Sequence, residues 1–321
     1  MARFSTEFEN ILKKYQNQKL NTYKVLELLG DDNVFNNFGG DKENKKFGAI
    51  LNCGTQLVFA KNTNASEGVT YRLKGANFCR ERICPMCQFR KAEKQFAEVM
   101  RVAELIGNKY RFLHVVLTVP NADSAIGLAE GIKVLYKGFS YLLRYKTIEK
   151  VFKGVLRCLE ISYNYENDTF HPHLHCLVAV VPSYFNDSKK YISAALLQEL
   201  WTKAANKAAQ SLKLDYYKAL PSDGSPLMVH IGAVKKGDYS GIAEVCKYCL
   251  KPLQFDDGTD EQNKRILLTL MYTMKGARFV QKYGVIKEAF KLIREAEAEE
   301  EKESEVKEMF VFWDDNEMGY R

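Results

Sequence analysis

The sequence predicts an α+β protein, an antiparallel sheet with helices on one face. Three observations predict it. Four β-prone apolar runs recur between Arg111 and Val234, set among amphipathic helical patterns. Their order is strand, helix, two strands, helix, strand, and a βαββαβ order gives an antiparallel sheet. The two middle runs are joined by a polar turn, Asn164 to Phe170, so they should form a hairpin. The chain has 321 residues, 46% of them hydrophobic, enough for a sizeable core in one large or two ordinary domains.

Residues 1–49 form a polar N-terminal segment. It holds one amphipathic helix pattern through Phe8, Ile11, Leu12 and Tyr15, and Asn33 to Lys46 reads as loop. Residues 50–92 form a second unit around Cys79-Arg80-Glu81-Arg82-Ile83-Cys84-Pro85-Met86-Cys87. Cys84 and Cys87 make a C-x-x-C knuckle with Cys79 upstream. Four thiolates suit a tetrahedral structural zinc, and Cys53 is the remaining cysteine of this half. Two β-prone runs, Gln56 to Ala60 and Val69 to Leu73, fold back to bring Cys53 to the cluster as a zinc-ribbon-like unit. The competing reading, a redox C-x-x-C, needs a βαβ context that is missing here. Arg72, Lys74, Arg80, Arg82, Arg90 and Lys91 crowd the unit, as contact with phosphate requires.

Residues 93–294 hold the sheet. A helix pattern through Phe89, Phe96, Val99, Met100 and Leu105 leads to the strand Arg111 to Val119, where His114 reads as core packing. A helix over Asp123 to Tyr145 follows, then the strand Gly154 to Tyr163 with Glu160 in its middle. The next strand opens with His171-Pro172-His173-Leu174-His175 and continues apolar to Val181. Side chains alternate along a strand, so His173 and His175 share a face and Leu174 takes the other. Two imidazoles beside a carboxylate suit a shared cation; the alternatives are a solvated strand start and an edge carboxylate. Then come a helix over Lys190 to Leu214 and a strand over Leu227 to Val234.

In Gly241 to Pro252, Glu244, Tyr248 and Lys251 fall on one helix face. That face reads either as exposed surface or as a site in which a neighbouring cation or base activates the tyrosine, whose pKa is ordinarily near 10. Cys246 and Cys249 read as packing residues. Helical patterns cover Glu261 to Arg294. Residues 295–321 read as an acidic tail, a solvated extension ending in an aromatic tip, Met309 to Trp313.

The net charge is +7, but the stretch from Glu295 onward carries −8, leaving +15 on the body. Such a body suits a polyanion, with a tail that competes for the same surface. No run is long enough to cross a membrane, and the N-terminus lacks a signal-peptide apolar core. A cytoplasmic protein with its eight cysteines largely reduced is the expectation.

Four stretches together resemble the class 1 Rep family of plasmid rolling-circle replication initiators, members of the HUH endonuclease superfamily. They are Phe78 to Arg90, Phe112 to Pro120, Glu160 with His171 to His175, and Glu244 to Tyr248, in the family's order. The resemblance implies a ferredoxin-like HUH core. It implies that His173, His175 and Glu160 hold a catalytic divalent cation, Mg²⁺ or Mn²⁺, with His171 as runner-up ligand. It adds to the case for Zn²⁺ on Cys53, Cys79, Cys84 and Cys87. Tyr248 is then the nucleophile, Glu244 the carboxylate that activates water for termination, and Lys251 a group that stabilises the phenolate or the phosphate. The implied partners are origin DNA with a single-stranded nick site, a host helicase and a DNA polymerase; a homodimer stays open. Three alternatives compete: another HUH nickase (relaxase or transposase), a non-catalytic zinc-ribbon DNA-binding protein, and a metallohydrolase that uses the histidines without a covalent step.

Overall fold

The computed structural model describes residues 5–30, 41–64, 68–214, 223–237, 258–303 and 307–321, with residues 218, 220, 221 and 242. It divides into two compact units. One takes in the described residues of Met1–Lys91, Pro252–Leu267 and Glu299–Arg321; the other takes in those of Ala92–Lys251 and Leu268–Ala298.

The first unit begins with helix α1 (Thr6–Leu29), capped by Ser5, whose hydroxyl accepts from the Phe8 N–H. Its apolar stripe is buried, with Phe8 edge-on to Phe59 at 5.0 Å and Tyr15 at 5.9 Å from the same ring. So the N-terminal helix joins the core of the cysteine unit rather than forming a separate segment. Helix α2 (Asp41–Leu51) replaces the second half of the expected loop. Strands β1 (Gln56–Asn64) and β2 (Gly68–Ala76) fold back antiparallel, as the two β-prone runs predict.

The second unit carries the predicted order. After α3 (Pro85–Ile106) come β3 (Arg111–Thr118), α4 (Ala125–Leu142), α5 (Lys146–Val151), β4 (Gly154–Asn164) and β5 (Thr169–Val180). Then follow α6 (Ala194–Leu212), β6 (Val229–Ala233), α7 (Asp260–Thr273), β7 (Val280–Tyr283) and α8 (Gly284–Glu303). The sheet runs β6-β3-β5-β4-β7 with every pairing antiparallel. The longest, most apolar strand lies at its centre.

Strand β7 falls inside the stretch expected to be helical. Glycines with positive φ, Gly276 (78°) and Gly284 (52°), bracket it. A Cβ on Gly284 would lie 2.1 Å from the Lys153 carbonyl oxygen, so only glycine lets this turn pass over the start of β4.

Helices cover both faces of the sheet, a correction to the one-face expectation. On one face α4 and α6 pack together, close enough that a Cβ on Gly138 would meet Trp201 and Ala205 at 3.3 Å. Trp201 is fully buried there and its indole N–H donates to the Thr118 carbonyl at 2.7 Å. On the other face, Val99, Val102 and Ala103 of α3 and Ile286, Ala289 and Phe290 of α8 cluster with Phe112, Leu156, Leu177 and Ala179. The helical stripes were readable, but which side of a sheet a helix covers depends on the connection, not on the stripe. Among the described residues, no helix is long and apolar enough to cross a membrane.

The acidic tail is corrected as well. Residues 295–303 continue α8, since Glu, Ala and Lys are good helix formers. The aromatic tip is strand β8 (Lys307–Asp314), which pairs antiparallel with β1 and leads to β9 (Gly319–Tyr320). The first unit's sheet is therefore β2-β1-β8-β9. Val311 is buried while Phe310 and Phe312 are half exposed, the alternation of a one-sided strand.

Candidate metal centre

Strands β4 and β5 pair residue against residue, with Glu160 opposite His173 and Cys158 opposite His175. Opposed residues share a face, so Glu160, His173 and His175 project together while Leu174 is buried on the other side. Nε2 of His173 lies 3.0 Å from Glu160 Oε2, and Nε2 of His175 lies 2.9 Å from the same oxygen. All three side chains are buried. One ligand atom from each lies within 4.8 Å of the others. Two imidazole nitrogens compete here for one carboxylate oxygen; a divalent cation would take all three donors at once, so the set fits one.

Burial would raise the Glu160 carboxyl, but hydrogen bonds from His173 and then His175 outweigh it and hold the pKa at about 2. The carboxylate is thus more acidic in the folded chain than its ordinary 4.5. Its contribution is complete above that ordinary value and is lost as pH falls from there towards 2. Glu160→Gln is expected to flatten the acid limb of a stability-versus-pH profile in that window, by roughly 2–3 kcal/mol in the metal-free protein. Urea titrations from pH 6 down to pH 2 would measure it, and identical limbs in both proteins would contradict it.

The other nitrogens are also engaged. Nδ1 of His173 lies 3.1 Å from the His171 carbonyl, and Nδ1 of His175 lies 3.0 Å from Nε2 of His114. His171, the runner-up ligand, turns its Nδ1 to Asn121 Oδ1 at 2.6 Å and is not one of the three clustered residues. Burial, then the His173 charge, pushes its pKa down. By register His114 and His230 lie on this same face, so all five histidines gather there. The sequence reading gave His114 to the core; its parity shows only once the pairing of β3 with β5 is known. Cys158, opposite His175, is disulfide-bonded, an exception to the reduced cysteines expected.

In the first unit, Cys53, Cys79, Cys84 and Cys87 converge. Cys87 Sγ lies 3.6 Å from both Cys53 Sγ and Cys79 Sγ. A tetrahedral zinc with sulfurs at ~2.3 Å sets them about 3.8 Å apart, so the spacing fits. Backbone N–H groups of Cys79 and Arg80 point at Cys53 Sγ and Cys87 Sγ, at 3.4 and 3.2 Å. Arg80 takes a left-handed φ of 64° at this turn. Lys19 of α1, fully buried, donates to the carbonyls of Leu51 and Cys53. Burial lowers its pKa, and the cysteines and Asp315 oppose that shift. The sequence reading found no chemistry in α1; a lysine at a buried helix position was the available signal.

The replication protein family (Rep_1) matches residues 70–321. The chain belongs to that family. This agrees with the resemblance carried by the motifs, that of a plasmid replication initiator of the Rep_1 class. "Protein rep" of Lactiplantibacillus plantarum is 32% identical over 256 residues, 77% of this chain and 74% of the relative. "Protein rep" of Lentilactobacillus hilgardii is 30% identical over 296 residues, 86% of this chain and 87% of the relative. "Protein rep" of Streptococcus pneumoniae serotype 2 is 33% identical over 252 residues, covering 76% and 71%. No solved structure matches.

The Rep_1 match takes in the histidine strand and three of the four cysteines, and starts after Cys53 and α1. Glu244, Tyr248 and Lys251 lie outside the described residues, as do Cys246 and Cys249. At the far end of β3 a cavity of about 420 Å³ has an apolar floor of Ala103, Phe112, Val234 and Ile242, with Arg111, Lys235 and Lys236 among its lining. The sequence reading did not single it out.

Proposed function

We propose that this Rep_1 protein is an HUH-type nickase that starts rolling-circle replication at its plasmid's double-strand origin. The observation that carries the reading is the convergence of His173, His175 and Glu160 on one buried face of adjacent central strands. The sheet order supports it. Taken in chain order, β3, β4, β5 and β6 lie as 4-1-3-2, the ferredoxin-like arrangement, with β7 added at the edge.

His173, His175 and Glu160 would hold Mg²⁺ or Mn²⁺, which when bound supplies Lewis-acid polarisation of the scissile phosphate. Cys53, Cys79, Cys84 and Cys87 would hold a structural Zn²⁺. The Tyr248 phenolic oxygen attacks phosphorus and loses its proton. The bond from phosphorus to the 3′ oxygen breaks, and that oxygen leaves with the electron pair and is protonated. The products are a 5′-phosphotyrosine and a 3′-hydroxyl that primes a DNA polymerase. Lys251 stabilises the phenolate. The protein–DNA ester conserves the phosphodiester energy, so a later strand transfer rejoins the product without ATP. Glu244 acts as general base for the water that ends the cycle. The basic body binds the origin and its hairpin, and a host helicase opens the duplex ahead.

The test is a nicking assay on supercoiled plasmid carrying the cognate origin, with Mn²⁺, followed by gel analysis for protein-linked 5′ ends. Wild type should give the covalent adduct, and Tyr248→Phe should give none while still binding the origin. Nicking that survives Tyr248→Phe would reassign the nucleophile. Absence of nicking by either protein, despite origin binding, would favour a non-catalytic zinc-ribbon DNA-binding protein.

A further inference from the structure

We infer that His114 is a positioning residue for the candidate cation site. With a cation bound, its Nε2 would accept the Nδ1–H of His175 and leave His175 Nε2 bare for the metal, in place of the hydrogen bond that Nε2 gives Glu160 in the metal-free chain. This rests on reading Glu160, His173 and His175 as the ligands.

A neutral imidazole carries one proton on one of two nitrogens. His175 points Nε2 at Glu160 Oε2, 2.9 Å away, and Nδ1 at His114 Nε2, 3.0 Å away. A cation on Nε2 needs that lone pair, so the proton must sit on Nδ1. There it needs an acceptor, and His114 Nε2 is within reach in a nearly parallel stack, with rings inclined at 22° and centroids 5.3 Å apart. The proton of His114 then belongs on its own Nδ1. His173 solves the same problem differently, since its Nδ1 faces the His171 carbonyl at 3.1 Å. The backbone thus fixes one ligand and a side chain fixes the other. Metal-bound histidines generally need such a partner on the second nitrogen, and losing it typically costs about 10–100-fold in metal affinity.

His114 is itself held. It pairs in register with Gly232 of β6, and the His230 ring meets its edge at 5.8 Å. The missing side chain at Gly232 matters: a Cβ there would come within 3.0 Å of His230 Nε2. The two histidines away from β5 therefore form a buttress behind His175.

The experiment is a Mn²⁺ titration of the full chain by electron paramagnetic resonance of free Mn²⁺. The proteins are wild type, His114→Phe, His114→Gln and His175→Ala, with thermal melting of each. His114→Phe keeps a flat ring without an acceptor and should weaken Mn²⁺ binding about 10–100-fold. His114→Gln offers a carbonyl oxygen to the same N–H and should restore affinity to within roughly threefold of wild type. Equal binding by His114→Phe and wild type would overturn the inference, as would a glutamine variant as weak as the phenylalanine one. Wild-type affinity that survives His175→Ala would instead sink the ligand assignment. Histidine ¹⁵N spectra of Mg²⁺-saturated wild type give a reading that needs no variant. The Nδ1 of His175 should be protonated and the Nε2 of His114 bare; the reverse tautomers overturn the inference.

Discussion

A Cys84→Ser chain is expected to purify with almost no zinc and to lose order throughout its cysteine turn. The stretch from Asn77 to Cys84 is irregular backbone, with neither strand nor helix to hold it. Asn77 ties its start to Asn52 and Thr55; beyond that it is held by the N–H to sulfur contacts of Cys79 and Arg80, the amide of Gln88, which donates to the Arg82 carbonyl, and the turn bond from Cys84 N–H to the Glu81 carbonyl. Those sulfur contacts are strong when the acceptors are thiolates, and a metal keeps thiols ionised. Small structural zinc sites contribute about 10–16 kcal/mol of binding energy at neutral pH, far more than such an irregular turn supplies by itself. The effect should reach α1. The buried Lys19 ammonium sits among carbonyls against the cluster, and neutral thiols would leave Asp315 alone to offset the cost of its burial. Metal analysis with amide hydrogen exchange would check this. Protection over residues 77–87 and around Lys19 should fall at least about a hundredfold in the variant and in chelator-treated wild type. Amides of β3, β4 and β5 should be unchanged. A variant that keeps one zinc per chain and full protection would rule out the four-cysteine site.

The second large effect is expected at Trp201. Truncating a fully buried aromatic leaves a cavity, and Trp201→Ala should cost about 3–5 kcal/mol of stability. The position offers little relief, because Gly138 has no side chain to move into the gap left between α4 and α6. The change also removes the N–H donor from the Thr118 carbonyl at the end of β3, opposite His173. Trp201→Phe keeps most of the volume and loses that hydrogen bond, so it should cost about 1–2 kcal/mol. Urea unfolding followed by fluorescence and circular dichroism would measure both. Similar midpoints for the alanine variant and wild type would mean that α6 repacks freely.

The histidine strand shows how far the sequence carried. Alternation put His173 and His175 on one face, and the short turn at Asn164 to Phe170 forced the hairpin that sets Glu160 beside them. Both rules act over a few residues, so both were legible. Cys53 was less local: the fold-back of β1 on β2 allowed it to reach the other cysteines, and the family resemblance, which places a cysteine before the knuckle, singled it out. His114 was not legible as a site residue because its role depends on the register of β3 against β5, which long-range packing sets. Strand β7 has four residues, too few for an alternation signal, and apolar residues on either side suited a helix. Strand β8 had the signal, an alternating aromatic run, but the surrounding acidic residues masked it.

The pairing of β8 with β1 gives this protein a timing problem during translation. Gln56 lies opposite Phe312, so roughly 250 residues must be made after β1 before its second neighbour exists. At elongation speeds of about 5–20 residues per second the wait is roughly 12–50 s. Through that interval β1 leaves the ribosome with one flank of backbone donors and acceptors open, beside partly made copies on the same message. The central sheet can close first, because β3 to β6 are complete long before residue 307 emerges. The cysteine unit is then the last part of the molecule to mature, although it is among the first to be synthesised.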